Sequence, residues 1–283
     1  MFKNSKKLFS NLLTMYKRQS FKNKPVRTIY YISIMLILLL FKIKKIYKIN
    51  IRGKSFLYTY KPYLNMGMGG RSQFVLREYY DPFLTYGMDI LPKNFNFIDV
   101  GCSRGFFTLF LLASNNPEGK GICIDPFKYA LSDLSEVIML NKFSNAYILR
   151  GIVSDKNHEK VFLRNVGTPS EASIIKKETH DNENGFYCKS YTIDQMVYSM
   201  NLIDSVEFIK LDVESAEFEV LLGSQETLKN FRPIIYLEIT RKEKEIREFL
   251  IDNNYSLHHF SHNKLIPLKK NVSPDSIVAK PLN

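Results

Sequence analysis

Apolar positions fall into short runs separated by helical stripes, and from residue 95 onward the two alternate regularly. Residues 95–100 (FNFIDV) form an apolar run ending at Gly101, and residues 106–113 (FFTLFLLA) are apolar on every side, as in a helix buried against a sheet. Residues 121–124 predict a second strand closed by Asp125-Pro126, with Pro126 suited to the first turn of the following helix. In that helix Phe127, Leu131, Leu134 and Ile138 share one stripe. Residues 146–154 (AYILRGIVS) predict a third strand and 160–166 an added one. Residues 206–213 (VEFIKLDV) predict a fourth core strand, 216–222 a helix stopped by Gly223, and 232–240 (RPIIYLEIT) a fifth strand. A helix over 242–253 and terminal strands near 256–260 and 276–280 complete the pattern. A further helix is expected over 72–80, and the polar stretch 167–185 reads as an exposed loop that could cover a site.

This order predicts the α/β class, with a doubly wound, mainly parallel sheet covered on both faces and ligands beyond the carboxyl ends of its strands. The residues at those ends are Asp99 to Gly105, Asp125, Ser154-Asp155, Asp212 to Glu217 and Glu238.

Charge divides the chain. Its net charge is +12, yet residues 1–77 carry 17 Lys and Arg and no acid, whereas residues 78–283 hold 23 bases against all 28 acids. The expected division is a basic leader over 1–77 and a catalytic domain over 78–283. An acidic body is a poor nucleic-acid groove, since that affinity comes mostly from neutralising phosphates. Within the leader, residues 29–43 (IYYISIMLILLLFKI) form an apolar helix that is short for a membrane span, with lysines following it. Bases are balanced on its two sides, so the positive-inside preference gives no orientation. Residues 1–48 therefore suit contact with an anionic membrane surface, and the competing reading is a helix packed on the body. Three cysteines without metal-ligand spacing support neither a disulfide framework nor a zinc site and favour a reducing compartment.

The segment Asp99-Val100-Gly101-Cys102-Ser103-Arg104-Gly105 places an acid and two glycines at a strand-to-helix turn, where glycine allows a tight turn and close approach of a ligand. Its D-x-G-x-x-x-G spacing differs from the dinucleotide fingerprint and is closer to the S-adenosylmethionine loop of class I methyltransferases. A nicotinamide site and a purely structural turn are the alternatives. Asp125 closes the second strand, where an acid can accept hydrogen bonds from two ribose hydroxyls or cap the next helix.

In order and spacing, IDVGCSRGFFTLFLL, IDPF, LNKFSNAYILRGIVSDKNHEKVFL, YTIDQM, FIKLDVESAEFEVLLGSQETL and RPIIYLEI resemble the FkbM family of S-adenosylmethionine-dependent methyltransferases. Cys102 and Ser103 stand where the family usually has Ala and Asn, and Ser215 stands where it has Gly. The resemblance implies a class I, Rossmann-like fold with a seven-stranded sheet and O-methylation of a small-molecule, saccharide or glycan acceptor. Asp99, Gly101, Cys102, Gly105 and Asp125 are the candidate cofactor residues. Because the acceptor hydroxyl loses a proton during transfer, Glu214 and Asp212 are the candidate catalytic carboxylates, serving as general base. With Glu217 they could instead hold Mg²⁺ or simply start a helix. A cytoplasmic location follows from the need for S-adenosylmethionine, at the cytoplasmic face of a membrane if the leader meets lipid. A cofactor-fold binding protein without catalysis and a nucleotide-dependent oxidoreductase are the competing functions. His258, His259 and His262 are expected on an exposed strand edge.

Overall fold

The computed structural model describes residues 45–60, 81–115, 118–165, 172–174, 185–213 and 215–282. The apolar run 29–43, the helix expected over 72–80 and Glu214 lie outside the described residues. The chain divides into two compact units, Met1–Ile49 with Leu57–Tyr80 and Asn50–Phe56 with Asp81–Asn283.

Strands β1 (Lys45–Ile51) and β2 (Lys54–Tyr60) pair as a two-stranded sheet. Arg52 and Gly53 between them have φ of 51° and 78°, as a two-residue hairpin turn requires. Both strands fall within the expected leader, where the charge pattern gave no sign of strand. Their period-two apolar positions are Ile49 and Ile51, then Phe56 and Tyr58, all buried. Within the second unit the Phe56 ring meets Phe106 at 5.8 Å, and Arg52 pairs with Asp89 at 2.5 Å.

The second unit continues through one wide helical turn, Phe83–Gly87, to β3 (Phe97–Val100), α1 (Phe106–Ser114), β4 (Gly121–Asp125), α2 (Lys128–Leu140) and β5 (Ala146–Arg150). The run read as a single third strand breaks at Gly151. There the chain leaves β4 and passes so close to Tyr191 that a Cβ would lie 2.6 Å from its ring. Strand β6 (Ile152–Val153) therefore belongs to a second sheet with β7 (His158–Asn165), β8 (Ala172–Ile174) and β9 (Gly185–Tyr191), in the order β6-β9-β7-β8. Part of the polar stretch read as loop is thus strand β8. The main sheet resumes with β10 (Phe208–Leu211), followed by α3 (Glu217–Leu222), α4 (Gln225–Phe231), β11 (Ile234–Glu238), α5 (Glu243–Asp252), β12 (Tyr255–Ser261), β13 (Lys264–Pro267) and β14 (Ser276–Pro281).

The main sheet has eight strands in the order β13-β12-β14-β11-β10-β3-β4-β5. From β5 to β11 all neighbours are parallel, and β14 runs antiparallel to both β11 and β12. Seven of these strands make the sheet expected of a class I methyltransferase, and β13 adds an eighth on the outer edge. Because β12 pairs with β13 as well as β14, His258 and His259 lie inside a paired strand and not on an edge. Pro267, which cannot donate to a ladder, ends the edge strand.

The two faces of the sheet differ. Ile98, Val100, Ile122, Ile124, Ile209, Leu211, Ile235 and Leu237 are buried with Val220, Leu221, Leu228, Ile246 and Leu250 from the helices, forming an aliphatic core. The alternate positions face the other way. There Phe208 and Tyr236 stack on Phe83 at 4.8 Å each, and Phe107 lies 5.9 Å from Tyr236. The charged strand residues Asp99, Asp125, Lys210 and Glu238 share this second parity.

Candidate active site

The loop between β3 and α1 folds back on the sheet. Gly101 and Cys102 both donate their N–H to the Ile124 carbonyl, at 2.9 and 3.1 Å, and Gly105 donates to the Cys102 carbonyl at 2.8 Å. Gly101 has φ of 74°, and a Cβ there would lie 1.8 Å from the Asp212 carbonyl oxygen. Gly105 has φ of 77°, and its Cβ would lie 2.1 Å from Leu134 Cδ1. Both glycines are therefore fixed by the turn itself and by close approach to β10 and α2. Cys102 is buried. Burial, together with nearby Cys123, Asp99 and Asp125, pushes its thiol well above the ordinary range.

Asp125 stands at the end of β4, 6% exposed, and each of its oxygens accepts one backbone N–H at 2.9 Å: Oδ2 from Ser103 and Oδ1 from Phe127. It thus starts the next segment, as the capping alternative expects, and also braces the glycine loop, which the sequence did not indicate. Each oxygen of an ionised carboxylate keeps a second acceptor position. Those two acceptor positions suit two ribose hydroxyls as donors, and Asp125 is the residue that would hold them. Burial pushes its carboxyl up to about 6, with the two backbone N–H groups working in the opposite direction.

Asp99 is placed differently. It is fully buried; Thr108 donates its hydroxyl to Oδ2 at 2.5 Å, and Lys210 Nζ lies 3.3 Å from Oδ1. The arrangement ties β3 to α1 and β10. Lys210 is the centre of the polar face: it donates to the Gly101 carbonyl at 3.0 Å and lies 3.3 Å from Asp212 Oδ2. Burial pulls the ammonium down, but Asp212 and Asp99 more than offset it, so Lys210 is held protonated.

Asp212 stands just past β10. Partial burial pushes its carboxyl up, but Lys210 and a side-chain hydrogen bond with Glu238 outweigh this and bring it below the usual carboxylate range. Glu217, at the start of α3 and 1% exposed, accepts the Ser215 N–H at 3.1 Å and the Thr240 hydroxyl at 3.0 Å. Burial raises its carboxyl. Ser215, at the position usually held by Gly, has φ of 85°. Asp194 is not part of this group: its two oxygens receive the Glu226 and Thr227 N–H groups and the Thr227 hydroxyl, capping α4.

The loop glycines, Cys102 and Asp125 are thus brought together at the ends of β3 and β4, with Asp212 beside them at the end of β10. Asp99 lies one layer deeper. The strand-end reading of the sequence reached Glu238 but neither Lys210, which lies inside β10, nor Asp81. Asp81 receives the Leu84 N–H at 3.0 Å and the Tyr236 hydroxyl at 3.4 Å, and burial pushes its carboxyl up to about 6. The signal that would have found Lys210 and Glu238 is their shared parity within the strands. Among the described residues, no three His, Cys, Asp or Glu side chains gather into a metal-holding group.

The methyltransferase FkbM domain model matches residues 99–257, more than half of the chain. The chain is similar to the crystal structure of the methyltransferase FkbM from Methylobacillus flagellatus KT, with 14% identity and a TM-score of 0.46, over 77% of this chain and 56% of that one. It thus spans just over half the length of that structure. It is also similar to Aeropyrum pernix fibrillarin in complex with S-adenosyl-L-methionine, with 14% identity and a TM-score of 0.42, over 70% of this chain and 72% of that one. A third similar structure is the ribosomal protein L11 methylase of Lactobacillus delbrueckii subsp. bulgaricus, with 8% identity and a TM-score of 0.43, over 79% of this chain and 84% of that one. No curated protein sequence matches the chain. By the family model over more than half of its length, the chain belongs to the FkbM methyltransferase family.

Proposed function

We propose that the protein transfers the methyl group of S-adenosylmethionine to a hydroxyl of a small-molecule or saccharide acceptor. The observation that supports this reading best is Asp125, a buried carboxylate that braces the glycine loop and retains an acceptor position on each oxygen, on the same rim as Asp212. When bound, the cofactor supplies a methyl group on a sulfonium, open to in-line attack. Asp125 accepts the ribose hydroxyls, and Gly101 and Gly105 keep the loop free of side chains. Asp99 and Lys210 lock the ends of β3 and β10 in one register. The acceptor hydroxyl must lose its proton as the new bond forms, and on sequence position Glu214 serves as general base with Asp212 beside it.

The basic segment 1–48 would bring this domain to an anionic membrane surface on the cytoplasmic side, which suits a lipid-linked or envelope saccharide. Labelled methyl transfer from S-adenosylmethionine into a cell extract tests the central reading. A labelled saccharide whose methyl is held as an ether supports it, whereas label on nitrogen or no transfer at all refutes it. Activity abolished by a chelator and restored by Mg²⁺ would replace the base by a metal.

A further inference from the structure

Beneath the glycine loop one cation meets two carboxylates. Lys210 Nζ lies 3.3 Å from Asp99 Oδ1 and 3.3 Å from Asp212 Oδ2, and its remaining contact, the Gly101 carbonyl at 3.0 Å, carries no charge. With Lys210 held protonated, the three groups keep one negative charge uncompensated. That excess surfaces at one place. The Asp99 side chain is fully buried and that of Lys210 is 8% exposed, whereas that of Asp212 is 40% exposed at the end of β10. Of the three, Asp212 is therefore the member a ligand can meet.

Asp212 also stands against the cofactor loop. A Cβ on Gly101 would lie 1.8 Å from the Asp212 carbonyl oxygen, and the Asp212 N–H donates to the Val100 carbonyl at 3.1 Å. In sheet order, β4 ends in Asp125, β3 runs into the glycine loop and β10 runs into Asp212, so ribose acceptor, loop and excess charge line three adjacent strand ends. Two other charges of the rim are committed elsewhere: Arg104 of the loop pairs with Asp133 of α2 at 3.4 Å, and Glu217 receives the Ser215 N–H and the Thr240 hydroxyl. We propose that Asp212 is a specificity-determining residue for the charge of the cofactor, its carboxylate facing the positive sulfonium so that the site holds S-adenosylmethionine more tightly than the neutral thioether that remains after transfer. This rests on the cofactor reading above. Lys210 keeps Asp212 ionised, and the proton of the acceptor is left to Glu214. Half-enclosed by protein, the carboxylate attracts a sulfonium more strongly than it would in water. With the methyl group gone the attraction ends, and Asp212 then favours exchange of the neutral product for a charged cofactor.

Calorimetric titration of the full chain with S-adenosylmethionine and with S-adenosylhomocysteine, which lacks the methyl group and its charge, tests the assignment without an acceptor. Asp212→Asn keeps the shape, removes the charge and leaves Lys210 its contacts with Asp99 and the Gly101 carbonyl. It should weaken S-adenosylmethionine by about tenfold more than S-adenosylhomocysteine. Asp212→Glu retains the charge and should keep most of the wild-type ratio of the two affinities; a ratio as low as that of Asp212→Asn would assign the effect to shape and overturn the proposal. An equal loss for the two ligands in Asp212→Asn, complete loss included, overturns this proposal alone. A wild type that binds neither ligand overturns the cofactor reading and this proposal with it.

Discussion

Replacing Asp125 by Asn separates its two tasks. The carboxylate uses one acceptor position on each oxygen for the Ser103 and Phe127 N–H groups and has one on each left for a ribose. Asn keeps one oxygen and turns an NH₂ group toward the other backbone N–H, so one loop bond and one ribose bond are lost together. Hydrogen bonds to a charged acceptor contribute about 1.5–3 kcal/mol, so S-adenosylmethionine should bind roughly 10- to 100-fold more weakly. The wild type should also show a pH signature, because burial places this carboxyl at about 6. Affinity should be flat above pH 7 and fall by about tenfold per unit below 6 as the acceptor is protonated. Stability has the opposite sign. A carboxyl raised from 3.8 to about 6 on folding opposes folding wherever it is ionised, by about 3 kcal/mol, fully above pH 6 and fading as pH falls toward 3.8. Calorimetric titration of wild type and Asp125→Asn from pH 5 to 8 checks both claims. Wild-type affinity in the variant, or a wild-type affinity indifferent to pH, would leave Asp125 as a loop brace only.

Gly101→Ala should destabilise the fold by at least about 2 kcal/mol, because a positive φ and a Cβ 1.8 Å from the Asp212 carbonyl must both be accommodated; an unchanged melting temperature would contradict the loop geometry. Lys210→Met leaves the Asp99 and Asp212 carboxylates without their cation and should cost about 3–5 kcal/mol in urea denaturation, whereas a wild-type midpoint would mean that the cation is dispensable. Ser215→Gly should stabilise by about 1 kcal/mol by relieving φ of 85°, visible as a raised denaturation midpoint. Removing residues 1–44 should abolish co-flotation with anionic liposomes while leaving calorimetric cofactor binding intact; flotation that persists without them would move the lipid contact elsewhere in the chain.

What the chain discloses of its fold follows from the length of its patterns. The parallel core was legible because FIDV, GICID, FIKL and IIYLE are near-continuous apolar runs, each followed by a turn residue and a helical stripe. Strands β1, β2, β8 and β9 were not. In KIYKINI and KSFLYTY lysines interrupt a period-two pattern, and in GFYCKSY aromatic and polar side chains alternate with Cys188 and Ser190, so no apolar run announces them. The break at Gly151 was also hidden, since it depends on the approach of Tyr191 from 40 residues away in a different sheet. The edge hairpin β12–β13 turns at His262 and Asn263, both at positive φ, where His lacks the turn preference that Asn or Gly would have signalled.

The site was legible at the strand ends and illegible inside the strands, and one physical circumstance accounts for both. In a sheet covered on both faces every residue is expected to be apolar, so attention passes to the turns, where Asp125 and the glycine loop indeed lie. Yet in FIDV, GICID, FIKLD and IIYLE every charged residue falls on one parity, Asp99, Asp125, Lys210 with Asp212, and Glu238, while the other parity is wholly aliphatic. A two-residue period of that kind within a buried parallel sheet means that one face is a hydrocarbon interface and the other carries a paired charge network running to the rim. Burying Asp99 and Lys210 is tolerable only because they meet each other across adjacent parallel strands and Lys210 also meets Asp212 at the end of its own strand. The strand order that makes β3 and β10 neighbours is therefore a requirement of the charges as much as of the hydrophobic runs. A different order would leave the Asp99 carboxylate without its cation in the core.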